Sequence, residues 1–473
     1  MTGRRTEDQR RTPLVDALLK MQGRVSFHMP GHRRSPIFDD PGTSCFHLLD
    51  TTELEGSGDL ASPSAHVLEA YQLAAAFFGA AETWFIPSGT TSSLFIMLAS
   101  LLEEGDQLIL PRAVHMAVVH AVALLGLEPC FVTGPDSSGF SDGQPDARAF
   151  IESIKQYPEA KACLVTRPDY FGRVMDLSPV AREAGRAGMA LLVDEAHGAH
   201  WAAAPDLMPP TALSQGADMT CQSAHKTLSA LTPASLLHVS RKALSGGLVD
   251  RDRLAGMVKV FQTSSPSFLI AASIDAARAQ AASDGRKALV RLIRLNQELC
   301  DRLPASFERV LPPGADPSRL VIDFSKTGRG RLDLIAHLDE AGIDAELIDL
   351  TRVVFIPGLD QDEEDYDRLY QALVSLPPET DQARRKARLN KNRTLLTERD
   401  TFLSAPASFV QSPRQALLGR KREKGLAKEV IAPYPPGVPL IWPGERMTAA
   451  HDFHLRALRS EGVTVRGFSS PWY

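Results

Sequence analysis

No run of 18 or more apolar residues occurs in the chain, so nothing in it has the length of a membrane-spanning helix. Cysteine is scarce. Its five residues, Cys45, Cys130, Cys163, Cys221 and Cys300, are odd in number, scattered and never arranged as CxxC. That argues against a disulfide framework or a structural zinc, and for a reducing compartment. Neither sign of charge dominates: 52 Lys and Arg stand against 57 Asp and Glu, a net charge of -5, and the signs are interspersed. No nucleic-acid surface is predicted from that balance. The opening MTGRRTEDQRRTPLVDALLK is too charged for a signal peptide. Internal repeats and low-complexity tracts are also missing. The expectation is a cytoplasmic globular protein with a small-molecule substrate, whose 473 residues, 44% hydrophobic, divide into two or more domains.

From about Val67 to Val239 short β-type runs alternate with helical patterns, the sequence form of a doubly wound, mainly parallel sheet. The runs are TWFIPSG, DQLILPR, EPCFVTG, ACLVTRP, ALLVDEAH, DMTCQSAH and SLLHVS. Seven strands are therefore predicted, with helices such as HVLEAYQLAAAFFG and SPVAREAGRAG between them. Residues 284–303 predict a long amphipathic helix leading to a smaller α/β unit built from SRLVIDFS, RLDLIAHLDEAG, RVVFIPG and EDYDRLYQALVSL. The charged stretch PPETDQARRKARLNKNR reads as a linker or an exposed helix, and VIAPYPPGVPLIWPGERMT as an irregular segment packed on something else.

Ligands of such sheets bind beyond the carboxyl ends of the strands. Four features fall there in order: PSGTTSS from Pro87, RAVH ending at His115, DEAHGAH from Asp194, and SAHK from Ser223. Gly89, Thr90 and Thr91 open a helix and can offer amides and hydroxyls to an anion, although a plain helix cap has the same residues. Asp194 ends an apolar run, where a carboxylate needs a cationic partner or several hydrogen bonds, as a structural aspartate also would. Lys226 follows 32 residues later in a small, apolar setting that makes an amine nucleophilic; alone, it reads as a lysine reaching solvent. Phosphate cradle, ring-nitrogen partner and amine on successive strand ends are the three handles that hold pyridoxal 5'-phosphate. Ser223 and His225 flank the lysine as further phosphate contacts, and His115 is placed to stack on the ring.

Five ordered motifs then resemble one family. FHMPGH (27–32), DTTELEGSGDL (50–60), DEAHGAH (194–200), QSAHKTLSAL (222–231) and PYPPGVPLIWPGE (433–445) are similar to those of the Orn/Lys/Arg decarboxylases. These are fold-type I pyridoxal-phosphate enzymes, and the resemblance is to their short form, the one without the N-terminal regulatory domain. The resemblance implies that Lys226 carries the cofactor as a Schiff base, that Asp194 pairs with the pyridine nitrogen and that His115 stacks on the ring. It also implies that Gly89, Thr90, Thr91, Ser223 and His225 hold the phosphate, with His197 close by. The implied reaction is decarboxylation of arginine, lysine or ornithine, a step of polyamine biosynthesis, in a homodimer or larger homo-oligomer whose N-terminal motifs line the active site. Glu346 and Asp59 are candidates for the substrate's cationic end, or else members of structural ion pairs. The implied division is an arm (1–62), a large cofactor domain (63–295), a small α/β domain (296–378) and a C-terminal extension (379–473).

Some positions depart from the family's pattern. Met116 stands where a lysine usually follows the histidine, and RPDYFG places Arg167 and Asp169 where small or neutral residues are usual. An Arg167–Asp169 pair beside the cofactor would retune substrate choice or outcome; at the surface it would be innocuous. A non-decarboxylating enzyme of the same cofactor, such as a cyclase, eliminase or aminotransferase, is the alternative. LLVDEAH also resembles a helicase Walker-B segment, but the chain has no GxxxxGK[ST] loop; the histidine motifs lack the HExxH arrangement of a metal site.

Overall fold

The computed structural model describes residues 9–23, 28–30, 32, 46–63, 65–133, 140–141, 144–406, 408–419, 423–434 and 437–468. Phe27, Gly31, Cys45, Pro435 and Pro436, parts of the features above, lie outside the described residues. After α1 (Pro13–Lys20) and α2 (Ala65–Phe78) come β1 (Glu82–Ile86), α3 (Thr90–Leu101), β2 (Gln107–Leu110), α4 (Met116–Leu125), β3 (Glu128–Phe131), α5 (Ala147–Gln156), β4 (Ala162–Thr166), α6 (Ser178–Arg186), β5 (Ala190–Asp194), β6 (Met219–Ser223) and β7 (Ser235–Val239). All seven predicted runs are strands of one sheet, ordered β1-β7-β6-β5-β4-β2-β3. Strands β5, β6 and β7 are buried along their whole length, so their sequences lack the in-out alternation of a half-exposed strand, and the polar residues of β6 and β7 are buried with the rest. β2 pairs in parallel with β3 and β4, as does β5 with β6, whereas β7 runs antiparallel to both of its neighbours.

Helix α7 (Arg251–Phe261) precedes α8 (Phe268–Arg302). The latter starts well before the predicted residue 284, because its first half is Ala-rich and largely buried rather than amphipathic. β8 (Leu320–Asp323), α9 (Arg331–Glu340), β9 (Leu347–Ile348), β10 (Arg352–Phe355) and α10 (Glu363–Val374) form the small α/β unit. Its sheet has the order Glu308–Arg309, β8, β10, β9. The charged stretch after it is a helix, α11 (Gln382–Ser404), followed by β11 (Ala432–Tyr434), α12 (Ala449–Ser460) and β12 (Thr464–Arg466).

Two compact units emerge: residues 1–101 with 192–288, and 102–191 with 289–473. In the first, the N-terminal arm is tied to α8 by a buried ion pair. Asp275 accepts the amide of Leu14 at 3.0 Å and bonds Arg278 at 2.5 Å, while Arg278 donates to the carbonyls of Gln9 and Arg11. In the second, Leu320, Ile322 and Phe324 pack on Leu334, Leu338, Tyr366 and Leu373. A separate core joins Leu395 and Leu403 of α11 to Ile431, Leu440, Ile441 and Leu455. The irregular segment is thus packed, as its apolar residues predict. Among the described residues no helix is long and apolar enough to cross a membrane.

Candidate active site

In the first unit, the ends of β1, β5 and β6 and the start of α3 converge. Gly89 turns the chain from β1 into α3 at φ +88°, a left-handed conformation open to glycine. A Cβ there would also lie 3.1 Å from Pro233 Cβ. The turn leaves the first amides of α3 without intrahelical partners, and Thr90 and Thr91 are its first two residues. Thr90 Oγ1 lies 2.5 Å from Ser223 Oγ and 3.1 Å from Ser235 Oγ, and Ser93 Oγ is 2.8 Å from Ser235 Oγ. Four hydroxyls therefore form one patch. Beside it the Ser88 hydroxyl is buried and has no hydrogen-bond partner among the described residues.

Asp194 is the last residue of β5 and is 3% exposed. Its Oδ1 accepts the amide of Ala196 at 3.2 Å. Past β6, a single helical turn (Ala224–Thr227) carries Lys226, whose Nζ lies 3.1 Å from His197 Nε2. An ammonium there donates to the imidazole, so amine and ring are within proton-transfer distance. His225 turns Nδ1 towards the backbone of Ala234, 2.8 Å from its oxygen. Burial, reinforced by the positive charge of Lys226, pulls its pKa down, although the bond to Ala234 opposes this. The Cys221 thiol of β6 is pushed well up, first by burial and then by the Asp194 and Glu195 carboxylates. Gly89, Thr90, Thr91, Asp194, His197, Ser223, His225 and Lys226 thus share this unit. Asp59 does too, but its Oδ1 closes a local turn by accepting the amides of Ala61 and Ser62 at 2.7 and 3.1 Å.

The remaining predicted residues belong to the second unit. His115 is the exposed N-cap of α4: its Nδ1 accepts the amide of Ala117 at 3.1 Å, so a neutral ring carries its proton on Nε2. Arg167 and Asp169 are 1% and 5% exposed, which overturns the surface-pair reading. The reason is local: Arg167 Nε donates to the Met175 carbonyl at 2.8 Å, and Asp169 bonds Arg173 Nε at 2.6 Å and the amides of Phe171 and Arg173 at 2.9 Å. Glu346 is exposed and accepts a hydrogen bond from the Tyr170 hydroxyl, a partner the sequence reading missed. Burial raises the pKa of Tyr170, and Glu346 adds to the rise. Arg319, fully buried, faces the Asp316, Glu346 and Asp169 carboxylates, whose charges offset part of the lowering that burial imposes on it.

The first unit's donors fit a molecule with an anionic end, a basic ring nitrogen and an electrophilic carbon. The α3 terminus, its hydroxyl patch and the unpartnered Ser88 suit the anion; Asp194 suits a protonated nitrogen; Lys226 is the amine.

Comparison with known proteins agrees with this chemistry. The family described as Orn/Lys/Arg decarboxylase matches twice, its major domain over residues 12–308 and its C-terminal domain over residues 405–470. The uncharacterized protein YaaO of Bacillus subtilis is 35% identical over 96% of each chain. The arginine decarboxylase of the same organism is 30% identical over 97% of this chain and 96% of its own. Among solved structures, the lysine decarboxylase LdcF of Francisella novicida superposes with a TM-score of 0.79 at 17% identity, covering 97% of this chain and 79% of that one. The predicted fold-type I architecture is the one these structures share.

Proposed function

Since the chain belongs to the Orn/Lys/Arg decarboxylase family and is an amino-acid decarboxylase dependent on pyridoxal phosphate, we propose that it removes the α-carboxylate of arginine, lysine or ornithine as CO2, leaving the amine. The observation that carries this reading is the approach of Lys226 Nζ to His197 Nε2, 3.1 Å, beyond the strand end that buries Asp194.

The bound cofactor supplies an electron sink for the pair left behind by the departing carboxylate. The protein's part is positioning and proton management. Thr90, Thr91, Ser223 and His225, with the amides after Gly89, hold the phosphate. His225 does so as a neutral ring, because burial and Lys226 disfavour its charged form. Asp194 keeps a proton on the ring nitrogen, and the apolar strand around it strengthens that pairing. His115 would cover the ring face. Lys226 anchors the cofactor and returns a proton to the substrate carbon, with His197 as the adjoining acceptor or donor. Glu346, oriented by Tyr170, meets the cationic end of the substrate, with Asp59, Arg167 and Asp169 as further members of the substrate site. The assembly is a cytoplasmic homodimer or larger homo-oligomer, organised as arm, cofactor domain, small domain and extension as divided above.

The test is to purify the protein with pyridoxal phosphate and assay arginine, lysine and ornithine for CO2 and amine. Release from one of them, abolished in Lys226→Ala, is expected. Cofactor absorbance without CO2 from any basic amino acid would contradict the assigned substrate class.

A further inference from the structure

Behind the strand ends that carry Asp194 and Lys226 runs a line of buried side chains on three adjacent strands. Gln222 of β6 donates from Nε2 to Glu195 Oε2 at 2.8 Å. Its Oε1 can then only accept, so His238 Nε2, 3.1 Å away on β7, carries the imidazole proton. That fixes His238 Nδ1 as an acceptor, and the Thr83 hydroxyl of β1 donates to it at 2.8 Å. At the far end Glu195 Oε1 accepts the amide of Ala212 at 2.8 Å. The direction is single-valued: Thr83 to His238 to Gln222 to Glu195. Glu195, Gln222 and His238 are at most 2% exposed, and burial holds the His238 pKa at about 3, so its ring stays neutral.

Gln222 also belongs to the other hydrogen-bond system. Its backbone carbonyl accepts the Ser235 hydroxyl at 2.9 Å, and Ser235 is the hub that Thr90 and Ser93 contact. The two systems lie on opposite faces of the sheet, because Ser235 and His238 are three residues apart on one strand. Glu195 passes its placement to the turn. Its amide bonds the Cys221 carbonyl, its carbonyl accepts the amide of Gly198, and a Cβ at Gly198 would lie 2.6 Å from Glu195 Cγ. His197 sits inside that turn.

We propose that Gln222 is a positioning residue of the cofactor site: its side-chain amide holds Glu195 and with it the turn from Asp194 to His197, next to the backbone carbonyl that seats the hydroxyl patch. This rests on the reading of the Lys226 site as the cofactor site. Removing the side-chain amide leaves the buried Glu195 carboxylate and His238 ring without their partner, and the loosened Glu195 shifts the turn that carries His197.

The experiment compares Gln222→Leu, His238→Phe and His238→Gln with the wild type. It reads the pyridoxal-phosphate dissociation constant, the pH midpoint of the visible band of the bound cofactor, and kcat and KM. Gln222→Leu should weaken cofactor binding about tenfold or more and lower kcat by a larger factor than it changes KM. It should also move the pH midpoint by about one unit. His238→Phe should follow in the same direction, and His238→Gln, which keeps a donor and an acceptor, should restore near-wild-type values. Folded Gln222→Leu and His238→Phe proteins with wild-type affinity and midpoint would overturn the proposal, even if they melted earlier. Should Gln222→Leu not fold, Thr83→Val and the two His238 variants decide by the same readouts. A wild-type protein that develops no visible band with pyridoxal phosphate overturns the cofactor-site reading itself, a separate outcome.

Discussion

Arg112 and Glu445, 333 positions apart, form a buried two-pronged ion pair, Nη1 to Oε1 at 2.8 Å and Nη2 to Oε2 at 2.6 Å. Glu445 also accepts the amides of Trp442 and Ser408, and the guanidinium lies 4.8 Å from the centre of the Phe131 ring. The PGE end of the irregular C-terminal segment is thereby fixed beside β2, three residues before His115. Taking away one partner strands a buried charge. Arg112→Met should cost about 3–5 kcal/mol, and Arg112→Met with Glu445→Leu should recover part of it. Urea unfolding of the three proteins checks this; equal losses in single and double variants would contradict it.

His238 gives a pH dependence with a definite sign. Its folded pKa, about 3, lies below the ordinary 6.5, so between those values the unfolded chain holds a proton that the native protein does not. Stability therefore rises with pH through this window and falls on acidification below about 6.5, by up to about 1.4 kcal/mol per pH unit from this group. Unfolding free energies from pH 7 to 4 should show a slope smaller by about one proton in His238→Gln than in the wild type. Identical slopes would contradict the assignment.

Glu346 and Tyr170 are expected to act on substrate rather than cofactor. Glu346→Gln should raise KM for the preferred basic amino acid about tenfold or more, because a charge-assisted contact becomes a neutral one. Tyr170→Phe should do so more weakly. Steady-state kinetics with a parallel cofactor titration decide: unchanged KM, or lost cofactor affinity, would remove Glu346 from the substrate site.

Gly89→Ala puts a side chain into a left-handed turn, at about 1–2 kcal/mol, and against Pro233. Cofactor affinity measured by titration should fall about tenfold, since the same turn presents the α3 amides. Unaltered affinity would place the phosphate elsewhere.

How much of this was legible in the sequence follows from burial. The strands were visible because buried runs such as ALLVD and SLLHV are built around apolar stretches, ALLV and LL, between turn signals. The direction of β7 was not, since a strand buried on both faces has the same composition either way. The clue lay in its connection: residues 224–234 hold only one helical turn, too little for the crossover that a parallel pair needs. Asp194 was legible because it is an ionisable group ending an apolar run, and Lys226 because it is a lone ammonium just past a strand end in the SAHK motif. Glu195, Gln222, His238 and Thr83 were missed as a group, because each looks like an isolated polar residue until strands far apart in the chain are laid side by side. Tyr170 and Glu346, 176 positions apart, were separated by the same distance in sequence that hides any tertiary pair.

Chemical trapping shows directly which lysine carries the cofactor, Lys226 being the one expected. The protein loaded with pyridoxal phosphate is reduced with borohydride, digested, and its peptides weighed by mass spectrometry. The added cofactor mass is expected on the peptide containing Lys226, and it should be lost together with the visible band in Lys226→Ala. Label on another lysine, or an undiminished band in Lys226→Ala, would contradict it.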